Sequence, residues 1–281
     1  MKPRSIRRRK AFDRTIKGLA MAATSIGIFF LGWILWEVLK RGAASINLAF
    51  FTHLPMPPGM EGGGVYNAIV GTILMTVLAT AIGVPCGIFA GVYLAEFGKY
   101  SRLGMFVRFA VNVFMGIPSI IIGLFVFLLL VAPVRHFSGY AGAVALSLLM
   151  FPVVTRTTED MLNMVPNALR EAALCIGAPR WIATVTILFR SAKTGLITGV
   201  LLSVARVSGE TAPLLFTALN SPYLLRSLRE PTGNLTVTIF QYAMSPYPDW
   251  NQIAWGASFV IMVTVLLFNI IARFLMKETT G

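Results

Sequence analysis

Six apolar stretches, nearly all of them long enough to cross a lipid bilayer, constrain this chain more than any other feature of its sequence. A membrane-spanning helix needs about 20 mainly apolar residues at a rise of about 1.5 Å each. Only 12% of the residues are charged, which is about half the share in ordinary soluble domains. The sequence therefore predicts an all-α, polytopic membrane protein with about six transmembrane helices. The predicted spans cover residues 18–39, 66–96, 103–132, 139–154, 195–220 and 251–276.

Basic residues are distributed unevenly between the two sides of this layout. Eighteen of the 24 Lys and Arg residues fall in the N-terminal tail, in the loops after the second and fourth spans and in the C-terminal tail, whereas five fall on the opposite side. Cytoplasmic loops are enriched in Lys and Arg, so both termini are predicted to face the cytoplasm. The net charge of +13 then reflects membrane orientation and contact with anionic lipid, and we expect no nucleic-acid binding.

The same layout divides the chain into segments. The first apolar stretch exceeds the roughly 7–15 residues of a signal-peptide core, so we expect an anchor that stays attached. A long outer segment over residues 220–250 is a candidate for receiving a solute-binding protein or for covering the pathway. The predicted segments are a basic cytoplasmic tail (1–17), an anchor helix (18–39), a periplasmic segment (40–65), a transmembrane domain (66–276) with a cytoplasmic loop (155–193), and a C-terminal tail (277–281).

The cytoplasmic loop contains a pattern typical of two short helices joined by a tight turn. Pro166 suits the start of a helix, Gly177 stands where a left-handed C-cap is needed, and Pro179 begins the helix that leads into the next span. A shallow apolar face on the first helix can enter a groove on another protein. The alternative is an amphipathic helix resting on lipid, which would favour larger residues than alanine. The predicted face consists of Leu169, Ala172, Ala173 and Ile176.

The fifth predicted span carries a pair of opposite charges. Arg206 and Glu210 are four residues apart, so their side chains can meet along one helix face. Both are predicted about half-way across the bilayer, where a charge costs at least ~2.5–3.5 kcal/mol. One interpretation is a salt bridge that fixes helix packing. The other is a solute pathway, because the planar donors of Arg suit tetrahedral oxyanions. The same polar line includes Gly199, Ser203, Pro213 and Thr217.

The loop motif resembles a known docking device. The sequence Glu171-Ala-Ala-Leu-Cys-Ile-Gly177, followed by Ile187, is similar to the EAA loop by which the membrane subunits of ABC importers dock onto their ATPases. The family pattern usually continues with Leu and Pro after the Ile, whereas this chain has Phe189 and Arg190. The resemblance implies a type I importer permease fold, and it implies ATPase contacts for Glu171, Ala172, Ala173, Gly177, Arg170 and Ile187.

A second resemblance indicates the solute. The segment 206–219, together with residues 62–72, 115–119 and 235–246, resembles the permease subunits of phosphate-specific ABC importers of the bacterial inner membrane. The resemblance implies that inorganic phosphate is carried by alternating access. It also implies three kinds of partner, which are ATPase subunits, a second permease subunit and a periplasmic phosphate-binding protein. The residues we assign to the substrate pathway are Arg206, Glu210, Ser203 and Thr211.

Other chemistry finds no support in the sequence. No Walker pattern occurs, so ATP hydrolysis is expected in a partner subunit and not in this chain. His53 and His136 lie far apart without acidic clusters, so we expect neither a metal site nor a cofactor. Two rival functions remain at this point. One is an ABC importer permease for molybdate, sulfate or an organic molecule, and the other is an ion-coupled carrier or channel that works alone.

Overall fold

In a computed structural model, every regular element is a helix. The structure describes residues 4–60 and 62–277, with side chains from residue 8 to residue 274 apart from residue 61. The all-α prediction is confirmed for this part of the chain. The helices are α1 (Arg4–Ser45), α2 (Leu48–Thr52), α3 (Tyr66–Val92), α4 (Arg102–Gly116), α5 (Ser119–Val126), α6 (Gly139–Asn163), α7 (Asn167–Cys175), α8 (Arg180–Ala183), α9 (Phe189–Ser208), α10 (Ala212–Thr217), α11 (Leu235–Ala243) and α12 (Pro248–Lys277), with π-helical turns at Tyr93–Phe97, Phe127–Val131 and Thr184–Leu188.

A stripe of small residues brings α3 and α6 into close contact. Gly83, Gly87 and Gly91 are all buried, four residues apart, on one side of α3. A Cβ added at Gly87 would lie 2.7 Å from the Cβ of Val154. One added at Gly91 would lie 2.5 Å from the Cβ of Thr158. Residue numbers therefore rise together along both helices, which run parallel, and small residues allow their backbones to approach as in other membrane helix pairs.

Because α3 and α6 run parallel, the chain between them must return across the bilayer. That connection holds α4 and α5, which are joined by a bend of 105°. The predicted span over residues 103–132 is therefore this bent pair and not one continuous helix. Pro118 causes the bend, since proline lacks an N–H and disfavours a helical conformation in the preceding residue, and Ile117 is indeed extended. Five described segments are long and apolar enough to cross a membrane, and the bent pair brings the number to six.

Helix α8, the π-helical turn Thr184–Leu188 and α9 follow one another directly. Together they form one helical segment from Arg180 to Ser208. Gly195 packs against Met161, and Gly199 packs against Thr157. Residue numbers rise along α9 as they fall along α6, so the two helices are antiparallel. The segment Arg180–Ser208 therefore leads the chain back across the membrane from the α7–α8 turn.

Helix α1 stands apart from this packed centre. At 42 residues it is about 63 Å long, roughly twice the hydrocarbon thickness of a bilayer. None of its apolar window is buried, and its main contact is with α12. No break in the helix separates the predicted tail from the predicted anchor, and α1 extends past residue 39 to Ser45. Residues 1–3 and 278–281 of the predicted tails lie outside the described residues.

Substitution of Gly91 by alanine tests the close contact between α3 and α6. The added methyl group would overlap Thr158, so we expect Gly91→Ala to lower the free energy of unfolding by about 1–3 kcal/mol, measured by thermal unfolding in detergent. The control is Gly27→Ala in α1, where an added Cβ meets no atom within 4 Å and alanine favours the helix by up to about 1 kcal/mol. Equal unfolding temperatures for the two variants would contradict the packing described.

Candidate functional site

The turn between α7 and α8 has the geometry predicted from its sequence. Gly177 adopts a φ of +80°, the left-handed conformation that suits glycine. The N–H of Gly177 donates to the carbonyl of Leu174 at 3.0 Å, and the N–H of Ala178 donates to the carbonyl of Ala173 at 3.1 Å. These two hydrogen bonds form a Schellman motif. Pro179 then caps α8, so the predicted helix–turn–helix is confirmed.

The apolar residues of α7 do not form the single outward face that their spacing predicts. Ala173 is buried, whereas Leu169, Ala172 and Ile176 are exposed. The reason is that α7 packs against α8 and the following π-helical turn, which covers one side of a nine-residue helix. The outward surface instead centres on Ile176, 81% exposed, and on Trp181 from α8.

The remaining loop residues with a predicted coupling role differ in position. Glu171 is exposed on α7, on the outward side. Arg170 points into the protein, where its guanidinium donates to the carboxylate of Glu96 at 2.8 Å. Ile187 is partly buried in the π-helical turn before α9. The structure thus places Glu171, Ala172 and Gly177 at the surface and takes Arg170 and Ala173 inward.

The chain leaves the helical conformation just after Arg206. Gly209 caps α9, Glu210 and Thr211 are not helical, and α10 begins at Ala212. The prediction of one helix over residues 195–220 is therefore wrong. The break follows from Pro213, whose ring would clash with the carbonyl of Gly209 in a continuous helix.

Arg206 and Glu210 nevertheless meet across this break. Their side chains approach to 3.8 Å between Nε and Oε1, which confirms the predicted pair. The distance is too long for a hydrogen bond, so the guanidinium keeps its donors for another acceptor. The Arg206 side chain is 61% exposed and the Glu210 side chain 18% exposed. The pair therefore lies at the surface of this chain, with most of the Arg206 side chain exposed.

A small cavity of about 180 Å³ lies where the two broken helices meet. The bend between α4 and α5 forms one wall, and α6 contributes Leu149, Pro152 and Val153. These three residues belong to the middle of α6, so the cavity lies about half-way along that helix. The first turn of α5 borders the cavity, and helix N-termini favour negative charge. Other lining residues are Met115, Pro118, Ser119, Arg206 and Glu210.

Sequence reasoning missed two contributors to this site. Ser119 fell inside a predicted span and was given no role in the pathway, although Gly116-Ile-Pro118 was a visible signal for a break. Thr236, at the start of α11, donates its hydroxyl to the carbonyl of Glu210 at 2.9 Å. That bond satisfies a backbone acceptor which the broken helix leaves free, and it positions the break.

Two predicted pathway residues are placed differently from the pair. Ser203 is buried, and its hydroxyl donates to the carbonyl of Val200 at 2.8 Å, so it does not line the cavity. Thr211 is partly buried and begins the turn into α10. The polar line predicted along one face does not continue past Arg206, because α9 ends at Ser208 and Glu210 is not helical.

The predicted outer segment 220–250 is partly helical, since it contains α11 and the start of α12. It borders a groove of about 810 Å³. Asn220 donates to the side-chain oxygen of Gln241 at 2.7 Å, and Tyr242 stacks on Trp250 at 4.4 Å between ring centroids. Burial raises the pKa of the Tyr242 phenol above its ordinary value, so this wall is uncharged at neutral pH. The described residues contain no cluster of His, Cys, Asp or Glu that could hold a metal.

Comparison with known proteins agrees with this architecture. A family model described as "Binding-protein-dependent transport system inner membrane component" matches residues 83–278. The chain is 46% identical to the phosphate transport system permease protein PstA of Haemophilus influenzae, over 94% of either chain. It is 36% identical to PstA 1 of Mycobacterium tuberculosis, over 88% of this chain and 82% of that one.

Solved structures with the same fold are more distant in sequence. A bacterial ABC transporter involved in the import of alginate matches with a TM-score of 0.66 at 16% identity, covering 98% of this chain and 100% of that one. The inward-facing methionine ABC transporter MetNI matches with a TM-score of 0.60 at 21% identity, over 76% of this chain and 94% of that one. These matches show a shared fold with ABC importer permeases.

Proposed function

The chain belongs to the family of binding-protein-dependent transport system inner membrane components, and from that premise we propose that it carries inorganic phosphate across a bacterial inner membrane. It is a permease subunit and so a transporter component rather than an enzyme. The observation that carries the proposal is Arg206, whose guanidinium lies beside a cavity at the meeting point of two broken helices. The phosphate permeases that match nearly the whole chain support phosphate as the solute.

Arg206 provides the chemistry that an oxyanion needs. Its planar donor fork matches two oxygens of a phosphate, and the N-terminal turn of α5 adds a favourable field. Glu210 shields Arg206 when the site is empty. When phosphate binds, the carboxylate accepts a hydrogen bond from the P–O–H group of hydrogen phosphate, whereas it repels sulfate, which has no such donor. Thr211 stands at the edge of this site, and Ser203 supports the packing of α9.

We propose that an ATPase subunit binds the turn around Gly177. Ile176 and Trp181 form a small apolar knob, with Glu171 beside it, that suits a groove on an ATPase subunit. Ala172 leaves that face shallow, while Ala173 and Ile187 hold α7 against the spans. ATP-driven closure of the ATPases moves this turn and rocks the spans between inward-open and outward-open states.

The proposed assembly has four kinds of component. Two PstB-like ATPases bind the α7–α8 turns, a PstC-like permease closes the open side of the Arg206 cavity, and a PstS-like periplasmic protein delivers phosphate. The lipid bilayer surrounds the apolar exterior of α1 and α12. Both termini are placed in the cytoplasm, on the side of the α7–α8 turn, because the basic residues concentrate there.

The two rival functions are less well supported. A permease for sulfate, molybdate or an organic molecule would share the fold, but the phosphate permeases among the relatives favour phosphate. A carrier or channel that works alone would need neither an ATPase nor the α7–α8 turn. Vesicles that contain all four components separate these possibilities. ATP-dependent uptake of phosphate in preference to sulfate and molybdate is expected, and uptake by the isolated chain without ATP would contradict the proposal.

Arg206 is tested by substitution in such vesicles. We expect Arg206→Ala to reduce phosphate uptake at least tenfold, because a charge-assisted hydrogen bond contributes about 1.5–3 kcal/mol, while co-purification with the ATPase is retained. Arg206→Lys keeps the charge but loses the fork, so it should recover part of the uptake. The matched control is Arg41→Ala, which breaks another i,i+4 pair, with Glu37, far from the cavity. Uptake unchanged in Arg206→Ala would remove this residue from the pathway.

Gly177 is tested through assembly. We expect Gly177→Val to weaken co-purification with the ATPase, because a residue with a side chain pays about 1–2 kcal/mol in the left-handed conformation and would reshape the turn. Gly59→Val is the matched control, since Gly59 has a φ of +83° and, like Gly177, no atom within 4 Å of an added Cβ. A variant at Gly177 that binds the ATPase as well as the control would refute the docking role.

A further inference from the structure

The π-helical turn Tyr93–Phe97, which ends α3, is held between two arginines from different helices. Arg170 of α7 approaches it from one side and Arg108 of α4 from the other. A π-helical turn is wider than an α-helical turn and is frequent at functional sites. The π-helical turn therefore lies between the α7–α8 turn and α4, which is the helix that leads to the cavity.

Arg170 is bound by acceptors of three separate elements. Its guanidinium contacts the carboxylate of Glu96 at 2.8 and 3.1 Å, and it donates to the carbonyls of Leu162 and Val165 at 2.6 Å each. A weaker contact reaches Asn167 at 3.3 Å. Because Leu162 belongs to the last turn of α6, the cation also lies at the negative end of that helix. Arg170 thus joins α7 to the ends of both α3 and α6.

Arg108 makes a comparable set of contacts on the other side. Its Nε donates to the carboxylate of Glu159 on α6 at 2.6 Å. Its terminal nitrogens donate to the carbonyl of Leu94 at 2.7 Å and to that of Lys99 at 3.3 Å. Leu94 lies inside the π-helical turn and is fully buried. Arg108 therefore links α4 to the same π-helical turn that Arg170 contacts through Glu96.

Helix α4 continues from this contact to the proposed phosphate site. Arg108 lies near the middle of α4, and the last residues of the helix, with the bend at Pro118, line the cavity beside Arg206. A contiguous set of charged bonds and helices therefore runs from the α7–α8 turn to the cavity wall. Such a set of packed contacts can carry energetic coupling between distant sites.

We propose that Glu96, Arg108 and Arg170 form a joint that converts movement of α7 into movement of α4, and so opens or closes the cavity at Arg206. The proposal rests on the proposed function and assigns Arg170 a positioning role inside this chain instead of a contact with the ATPase. Arg170 and Glu96 are mostly buried, at 19% and 12% side-chain exposure. An ATPase surface cannot compete for a guanidinium that is already bound by a carboxylate and two carbonyls.

The geometry favours transmission of force over simple stabilisation. Each guanidinium is planar and binds several acceptors at fixed angles, so rotation of one helix displaces the next. Arg156 provides a contrast on the same side of the molecule. It pairs with Asp160 at 3.1 Å and more distantly with Glu159 at 3.6 Å, all within α6, and it joins no second helix.

The experiment measures phosphate transported per ATP hydrolysed, in vesicles that contain the whole assembly. We expect Arg170→Lys, Glu96→Gln and Arg108→Lys each to lower this ratio at least about fivefold, while the ATPase still co-purifies and still hydrolyses ATP. Glu96→Gln keeps the shape of the side chain, so it tests the joint even if the arginine variants assemble poorly. The double variant Glu96→Gln/Arg170→Lys should lose little more than Arg170→Lys alone, because both changes break the same ion pair.

The control and the contrary outcomes are specific. Asp13→Asn removes an exposed pair with Lys17 within α1 and should leave the ratio unchanged. A normal ratio in all three joint variants would overturn the proposal. So would loss of ATPase co-purification in Arg170→Lys alone, with normal ratios in Glu96→Gln and Arg108→Lys, which would make Arg170 a docking contact. If the wild-type assembly moved another anion and no phosphate, the proposed function would fail, and the ratio measured with that anion would still test the joint.

Discussion

The close parallel packing of α3 on α6 is the constraint on which the rest of the architecture depends. Gly83, Gly87 and Gly91 remove the side chains that would keep the two backbones apart, which matters in lipid, where no hydrophobic force drives helices together. Because α3 and α6 are parallel, the chain that connects them must cross the bilayer once in the opposite direction. That requirement sets the path of α4 and α5, and it brings the inner ends of α3 and α6 together with α7.

The proposed solute site follows from breaks in two helices that meet at one cavity. A continuous helix satisfies its own backbone and presents little to a solute, whereas a break exposes polar groups that must find partners. The breaks before Pro118 and before Pro213 face each other across the cavity. Thr236 completes one of them by binding the free carbonyl of Glu210. The charged pair and the polar backbone groups of the two breaks thus lie in one place.

Local sequence rules predicted the backbone of the α7–α8 turn well, but they predicted the contacts of its side chains poorly. Pro166, Gly177 and Pro179 determine the backbone within a few residues, so their positions were sufficient to predict two helices and a left-handed turn. Arg170 stands beside Glu171 in the sequence, yet a helix rotates successive residues by about 100°. One side chain therefore faces outward, whereas the other binds the ends of α3 and α6.

By itself the sequence determined that the protein spans a membrane, how many spans it has, the α7–α8 turn and the pairing of Arg206 with Glu210. These properties depend on apolar length, charge distribution and residues at most a few positions apart. Only the tertiary structure decided that α4 and α5 bend, that Ser203 and Arg170 turn inward, and that Ser119 joins Arg206 at one cavity. Those outcomes depend on which helices pack together, and contacts between residues far apart in the chain are formed by packing and not by local propensity.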